Sequence, residues 1–380
     1  MQLDNSKIIF FQQYAAPYAG NFIKSLVCLE QFLEKNYNAR VFYVFPEAAK
    51  EKLWMKNFSL HHRCYFTIDE VSNSGKAILD LMNTIKPDLV HTHFDGYDMP
   101  VTKAVKQFNK EGDIKVVWHL HDHLSFQSNI LKKLYQHICF RLHYFYWGKY
   151  ASVISVGSDC VDFLSNLRKR KLPFRNLEII PNGIDIDRLK IRNVNAVIGG
   201  GKNTLNFKFL AFGGRNVQKR IDVILHAGKI LISQDVNFKL VITEGTDTAD
   251  VIRSVFGNDQ PSWVELIPQT EYIAELFSGM NCFISSSVAE TFSYAVAEAS
   301  IFGLPVIQSD IQGTAWNAVN PSTFVFKNMD SESLALKMKE VMSMPQTELM
   351  QRCKISQKNN TEKYSLEAWA DKVVAFYNKI

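Results

Sequence analysis

Residues 284–313 read ISSSVAETFSYAVAEASIFGLPVIQSDIQG. Just before them Cys282-Phe283-Ile284 is a short apolar run that ends in three serines, and after them Gly303-Leu304-Pro305 turns the chain into Val306-Ile307-Gln308. Short apolar runs bounded by turn residues are strands, so the whole reads as strand, loop, helix, turn, strand. In such a unit the loop and the helix N-terminus lie at the carboxyl edge of a parallel sheet, where open α/β sheets bind ligands. Ser293 is a candidate N-cap, which puts Glu290 in the loop and Glu298 more than one turn inside the helix. The two carboxylates then reach different parts of one extended ligand, and the amides near Phe292 to Tyr294 offer an anion site.

The rest of the chain bounds this reading. At 380 residues it exceeds one ordinary core and suits two domains. Hydrophobic residues make up 47% and charged residues 21%, the balance of a folded globular protein. The six cysteines, at 28, 64, 139, 160, 282 and 353, are scattered without a C-x-x-C pair and read as buried free thiols in a reducing compartment. The first residues lack the basic-then-apolar order of a signal peptide, and no run of about 20 uncharged apolar residues exists. A cytoplasmic protein is expected. The net charge of +5 is unevenly placed, with nine Lys/Arg against two Asp/Glu between Asn129 and Arg175. That excess favours an anionic partner.

Strand and helix signals alternate along the chain. Lys7 to Phe11 reads as a buried parallel strand, broken by Pro17 to Gly20 before an amphipathic helix from about Asn21 to Lys35, and Arg40 to Phe45 is the next strand. Asp88-Leu89-Val90-His91-Thr92-His93 and Lys115 to His123 are both strands that end in histidine. Imidazoles at i and i+2 on a strand share a face, an arrangement that also suits a metal.

Residues 130–150 (ILKKLYQHICFRLHYFYWGKY) mix Lys132, Lys133, Arg141 and Lys149 with seven aromatic residues. Such a helix either lies on anionic lipid headgroups, joined by Arg168-Lys169-Arg170-Lys171, or packs its aromatic rings, Tyr135, Phe140, Tyr144, Phe145, Tyr146 and Trp147 among them, under the sheet with the basic residues solvated. Ile191 to Asn206 is weakly patterned, and its Gly199-Gly200-Gly201 opens no helix, so it reads as linker and not as phosphate loop. Phe207 to Phe212 is a strand that delivers Gly213-Gly214-Arg215-Asn216-Val217-Gln218-Lys219, and the Arg fork with a point-charge Lys suits phosphate oxygens.

At these residues the chain resembles the retaining, nucleotide-sugar-dependent glycosyltransferases of family four, whose GT-B fold sets two Rossmann-like domains across a cleft. Glu290 and Glu298 stand as that family's Glu-x7-Glu, and Gly303-Leu304-Pro305-Val306 stands as its Gly-x-Pro-Val. Pro181-Asn182-Gly183-Ile184-Asp185 matches the segment that closes the family's first domain. The resemblance implies that Glu298 binds the ribose hydroxyls of the donor and that Glu290 contacts the donor sugar. It also implies that Arg215 and Lys219 hold the diphosphate, with Arg220 as an alternative because the spacing to Lys219 is one residue short. Gly20, Gly214, Thr291, Phe292 and Ser293 complete the donor site. Where the family has Glu-Gly-Phe-Gly this chain has Glu290-Thr291-Phe292-Ser293, which narrows the loop and leaves the sugar open.

His121 is the best match for the family's histidine at the donor sugar or its phosphate. Sugar contact is preferred over metal, the other histidines are read as structural, and no metal or other cofactor is expected. The implied domains are an acceptor-binding domain over 1–190, a linker over 191–206, a donor domain over 207–364, and a C-terminal helix over 365–380 that returns to the first domain.

The implied reaction moves a hexose-type sugar from a nucleoside diphosphate sugar to an acceptor hydroxyl with retention. No side chain stands out as a covalent nucleophile, so front-face attack follows, with a donor phosphate oxygen taking the acceptor proton. The expected acceptor is a glycan or lipid-linked glycan of bacterial capsule, exopolysaccharide or wall polymer. Peripheral contact with the anionic inner face of the membrane is expected through 130–175, and no nucleic acid partner. Two alternatives share the fold: a nucleotide-sugar 2-epimerase, which needs no acceptor, and a non-catalytic subunit that binds a partner glycosyltransferase or glycan.

Overall fold

In the computed structural model the run Lys7–Gln12 (β1) is buried on both faces. Ile8 and Phe10 enter one core cluster, while Ile9 and Phe11 enter another on the opposite side. Successive side chains of a strand point to opposite faces, so a continuous apolar run fits only a sheet covered on both sides. The structure describes residues 2–67, 75–108, 114–124, 130–168, 171–190 and 207–380. The expected linker 191–206, its three glycines, and Lys169 and Arg170 of the basic tetrad lie outside the described residues.

The chain divides into two compact units, residues 1–183 with 366–380, and residues 184–365. The first holds β1, Arg40–Pro46 (β2), Cys64–Thr67 (β3), Leu89–His93 (β4), Lys115–Leu120 (β5), Ser152–Ser155 (β6) and Leu177–Ile179 (β7). These form one parallel sheet in the order β3-β2-β1-β4-β5-β6-β7. Two helices cover one face. Gly20–Tyr37 buries Phe22, Ile23, Leu26, Leu29 and Leu33 at helical spacing, and Leu366–Lys379 buries Trp369, Ala370, Val373, Val374 and Tyr377. Both sets join the cluster that contains Ile8 and Phe10.

The second unit holds Lys208–Ala211 (β8), Lys239–Thr243 (β9), Val264–Ile267 (β10), Cys282–Ser285 (β11), Val306–Ser309 (β12) and Thr323–Phe326 (β13). This sheet is also parallel, in the order β10-β9-β8-β11-β12-β13. Entry and exit of the chain run side by side, where the Ile184 amide donates to the Tyr364 carbonyl at 2.7 Å.

Each sheet has one place where the winding reverses, between β1 and β4 in the first and between β8 and β11 in the second. Loops leaving the two strands diverge there and open a crevice. Three local expectations are revised. Strand β5 stops at Leu120, so His121 lies just beyond it. The single helix expected over 130–150 is an α-helix only over Ile130–Phe140, continued by a wider π-type turn over Arg141–Trp147. Its aromatic residues also divide: Tyr144 and Phe145 are buried in the core, while Tyr135 and Tyr146 are exposed.

Candidate active site

At the β8/β11 reversal two loops are stitched together. The Val288 amide donates to the Gln218 carbonyl at 2.9 Å, and the Gln218 side-chain amide donates to the Ala289 carbonyl at 3.2 Å. Ser286 Oγ lies 2.7 Å from the Lys219 carbonyl and 3.0 Å from that of Arg220. Those bonds fix Lys219 beside Glu290, with Nζ 2.6 Å from Oε1, and the same oxygen accepts from Ser287 Oγ at 2.8 Å. Lys219, Ser285, Ser286, Ser287 and Ser293 line a cavity at this edge with Phe212 at its side.

The glycines of these loops permit the approach. A Cβ on Gly213 would collide with the Thr243 carbonyl and one on Gly245 with the Gly214 amide, because the loops after β8 and β9 cross without space between them. The Asn216 amide is held by the Asp247 carboxylate at 2.9 and 3.0 Å. Gly214 lies against the Lys219 side chain, with Cγ 2.9 Å from where a Cβ would stand. The Arg215 side chain, between these anchors, is exposed and has no partner among the described residues.

Arg220, the alternative cation, stands beside Asp222 and not beside Glu290. Its guanidinium grips Asp222 through two bonds of 2.9 and 2.7 Å, which leaves Lys219 as the cation beside Glu290.

The helix after Glu290 begins where its cap residue predicts. Ser293 is the N-cap, with φ −78 and ψ 103, and the helix runs over Tyr294–Phe302. Thr291 is half-buried, and the Phe292 ring is packed at 4.9 Å over Trp316 and 5.6 Å from Tyr364. Its backbone, not its ring, is what this turn can present to a ligand. Glu298 is buried inside the helix and is met by Arg188 Nη1 at 3.2 Å. Arg188 comes from the short 3-10 turn Ile186–Leu189, capped by Asp185, whose carboxylate accepts from the Asp187 amide at 3.1 Å.

The first unit carries Gly20 and His121. Gly20 opens its helix at φ +57, a conformation that strains any other residue. His121 faces His93 Nδ1 through Nε2 at 3.1 Å, and burial pushes its imidazole down to about 3, so the ring is neutral at physiological pH. Sequence reasoning did not single out Arg188, Ser287 or Gly313 for the site. The triple serine after β11 was the one visible signal for Ser287.

Parallel sheets of this order define a pair of Rossmann-like units. Residues 29–188 match the model of glycosyltransferase family 4, and residues 187–360 match that of the glycosyl transferases group 1. With both models matched in series, the chain belongs to the family-four-like glycosyltransferases of GT-B fold. Solved structures agree on that fold. HepE from Anabaena, crystallised with UDP and glucose, is 15% identical at a TM-score of 0.76, covering 99% of this chain and 100% of that one. A glycosyltransferase from Rickettsia africae is 16% identical at 0.77, covering 99% and 98%. Sucrose-phosphate synthase from Thermosynechococcus elongatus is 15% identical at 0.70, covering 98% of each chain. No curated protein sequence matches the chain.

Proposed function

We propose that this glycosyltransferase moves a hexose-type sugar from a nucleoside diphosphate sugar to an acceptor hydroxyl with retention of configuration. The observation that carries this reading is the Lys219–Glu290 pair at the reversal of the second sheet, beside the exposed Arg215. Departure of a nucleoside diphosphate develops negative charge, and fixed cations and amides aimed at it lower the barrier most where water is excluded. Arg215, Lys219 and the amides at Phe292 and Ser293 supply such groups, so the transfer step itself is assigned no metal.

Glu290 is assigned to the donor sugar and Glu298 to the ribose hydroxyls. The neutral His121 is assigned a hydrogen bond to the sugar or its phosphate. The acceptor proton passes to a donor phosphate oxygen as the glycosidic bond forms on the face that the diphosphate leaves. The UDP and glucose named with HepE make UDP-glucose the first donor to test. The test combines the chain with UDP-, GDP-, ADP- and dTDP-sugars, following nucleoside diphosphate release and the anomeric configuration of any glycoside formed. Release that depends on an acceptor supports transfer. A sugar epimerised without acceptor, or no turnover and no nucleotide binding by folded protein, would sink the reading.

A lipid-linked acceptor is favoured by a separate observation. The helix Ile130–Phe140 buries none of its residues, and Ile130, Leu131, Leu134, Tyr135 and Ile138 are 59–82% exposed. At about 100° per residue these five occupy an arc of roughly 140°, with Lys132, Lys133 and Gln136 on the other side. An exposed apolar arc backed by lysines suits the interface of an anionic bilayer, where rings and aliphatic chains enter the acyl boundary and ammonium groups meet phosphates. No described helix is long and apolar enough to cross a membrane. Flotation with phosphatidylglycerol vesicles is expected for the wild type and lost in Leu134→Glu/Ile138→Glu. Equal flotation of both proteins would remove the lipid surface from the proposal.

A further inference from the structure

The first sheet gathers four histidines on one face. His91 and His93 lie two residues apart on β4, His93 stands opposite His119 in the β4–β5 ladder, and His121 follows two residues later. Ring centroids are 4.2 Å apart for His91 and His93, 5.3 Å for His91 and His119, and 5.0 Å for His93 and His119. His91, His93 and His119 are fully buried.

Their nitrogens divide in a telling way. His91 Nδ1 meets the Tyr377 hydroxyl at 2.5 Å, and His93 Nδ1 meets His121 Nε2 at 3.1 Å. Nε2 of both rings and both nitrogens of His119 have no hydrogen-bond partner. Gln12, paired with His93 across the β1–β4 ladder and fully buried, has neither end of its amide partnered. A buried polar group left unpaired is destabilising, so this many in one place calls for a ligand that satisfies them together. One ligand atom from each of His91, His93 and His119 lies within 4.8 Å of the others.

We infer that His91, His93 and His119 bind a divalent transition-metal ion of the zinc type in the core of the first unit. Neutral imidazole is a favoured ligand for such ions. A metal-bound imidazole ordinarily donates its other N–H to a fixed acceptor, which sets tautomer and ring orientation. Tyr377 fills that role for His91, and His121 fills it for His93. A tetrahedral zinc site holds its nitrogens roughly 3.3 Å apart, so modest rotation of the buried rings closes the set. Gln12 brings an amide oxygen to the same face as a further donor.

The inference does not depend on the proposed reaction, and the ion is placed in the protein core, not at the donor diphosphate. It does bear on His121: if His93 donates Nδ1–H to His121 Nε2, the proton of His121 resides on Nδ1.

The test uses the full chain with any affinity tag removed, stripped with chelator and dialysed. Zinc returned to it is expected to bind at about one equivalent and to raise the unfolding temperature, because an ion that binds only the folded state stabilises it. Cobalt(II) in place of zinc is expected to give the intense visible bands of a four-coordinate site. His119→Asn is expected to lose both effects, while His226→Ala, on an exposed helix position, keeps them. If His119→Asn fails to fold, the cobalt spectrum of the wild type decides alone. Folded wild type that takes up neither ion at stoichiometry would overturn the site and leave the nitrogens to buried water. Binding that survives in a folded His119→Asn would overturn it equally.

Discussion

Lys219 Nζ lies 2.6 Å from Glu290 Oε1, joining the loop after β8 to the loop after β11 where the second sheet reverses. Under the proposed function the pair offers a cation to phosphate and a carboxylate to sugar hydroxyls. Glu290→Gln keeps the hydrogen-bonding shape but loses the charge, and its kcat is expected to fall roughly 10²-fold or more. Lys219→Met should do the same. The double variant is expected to lose far less than the product of the two, since they act as one unit. Strict multiplicativity in steady-state rates would show that the two residues act independently and not as a unit.

Arg188, in the turn that follows Pro181-Asn182-Gly183, stands against the proposed donor-site residue Glu298. Its guanidinium holds one oxygen of the buried Glu298 at 3.2 Å, which orients the carboxylate that the proposed function assigns to the ribose diol. Glu298→Ala should abolish stabilisation by the nucleotide that binds the wild type. Arg188→Ala should weaken the same nucleotide about fivefold to tenfold, equivalent to about 1 kcal/mol. Thermal shift against nucleotide concentration reads both. An Arg188→Ala protein with unchanged affinity would return the residue to a purely structural role.

How much of this was legible in the sequence depended on whether a contact is local. The apolar runs that became β1, β8 and β11 and the cap at Ser293 are encoded within a few residues, and a single chain shows them. Arg188 lies 110 positions from Glu298, so nothing nearby marks their meeting. The two-residue spacing of His91 and His93 was visible, yet that β4 sets His93 against His119 is a fact of sheet order. Strand β3 was missed because Cys64, Tyr65 and Phe66 form a run of only three apolar residues, half-buried at the sheet edge, with no turn residue to mark its start. The stretch 130–150 gave its composition correctly but not its division, since burial of Tyr144 and exposure of Tyr135 depend on what each packs against.

Asp98 gives a pH signature of its own. It is fully buried, and burial pushes its carboxyl from 3.8 up to about 6, against the hydrogen bonds of His143, at 3.2 Å, and of Thr92. The folded state therefore keeps a proton that the unfolded chain has released, and stability falls as pH rises across that window, then levels off above it. The shift corresponds to about 3 kcal/mol. Asp98→Asn cannot titrate, so its stability relative to wild type should improve by about that amount between about pH 4 and pH 7 in denaturant titrations. A difference that stays constant with pH would mean that the carboxyl is ionised throughout.

Gly313 tests whether the backbone at Glu290 must be where it is. A Cβ on Gly313 would land on the Glu290 carbonyl oxygen, so Gly313→Ala must push the loop that carries the carboxylate. Overpacking of this kind costs about 1–3 kcal/mol. The displacement should also separate Glu290 from Lys219 and from Ser287, so kcat is expected to fall along with the unfolding temperature. Gly279→Ala is the control, because its added Cβ would meet only the Leu276 carbonyl, at 3.8 Å. If Gly313→Ala lowers stability yet keeps full kcat, the loop can re-form around the methyl group. The fixed Lys219–Glu290 geometry would then not be what the reaction requires.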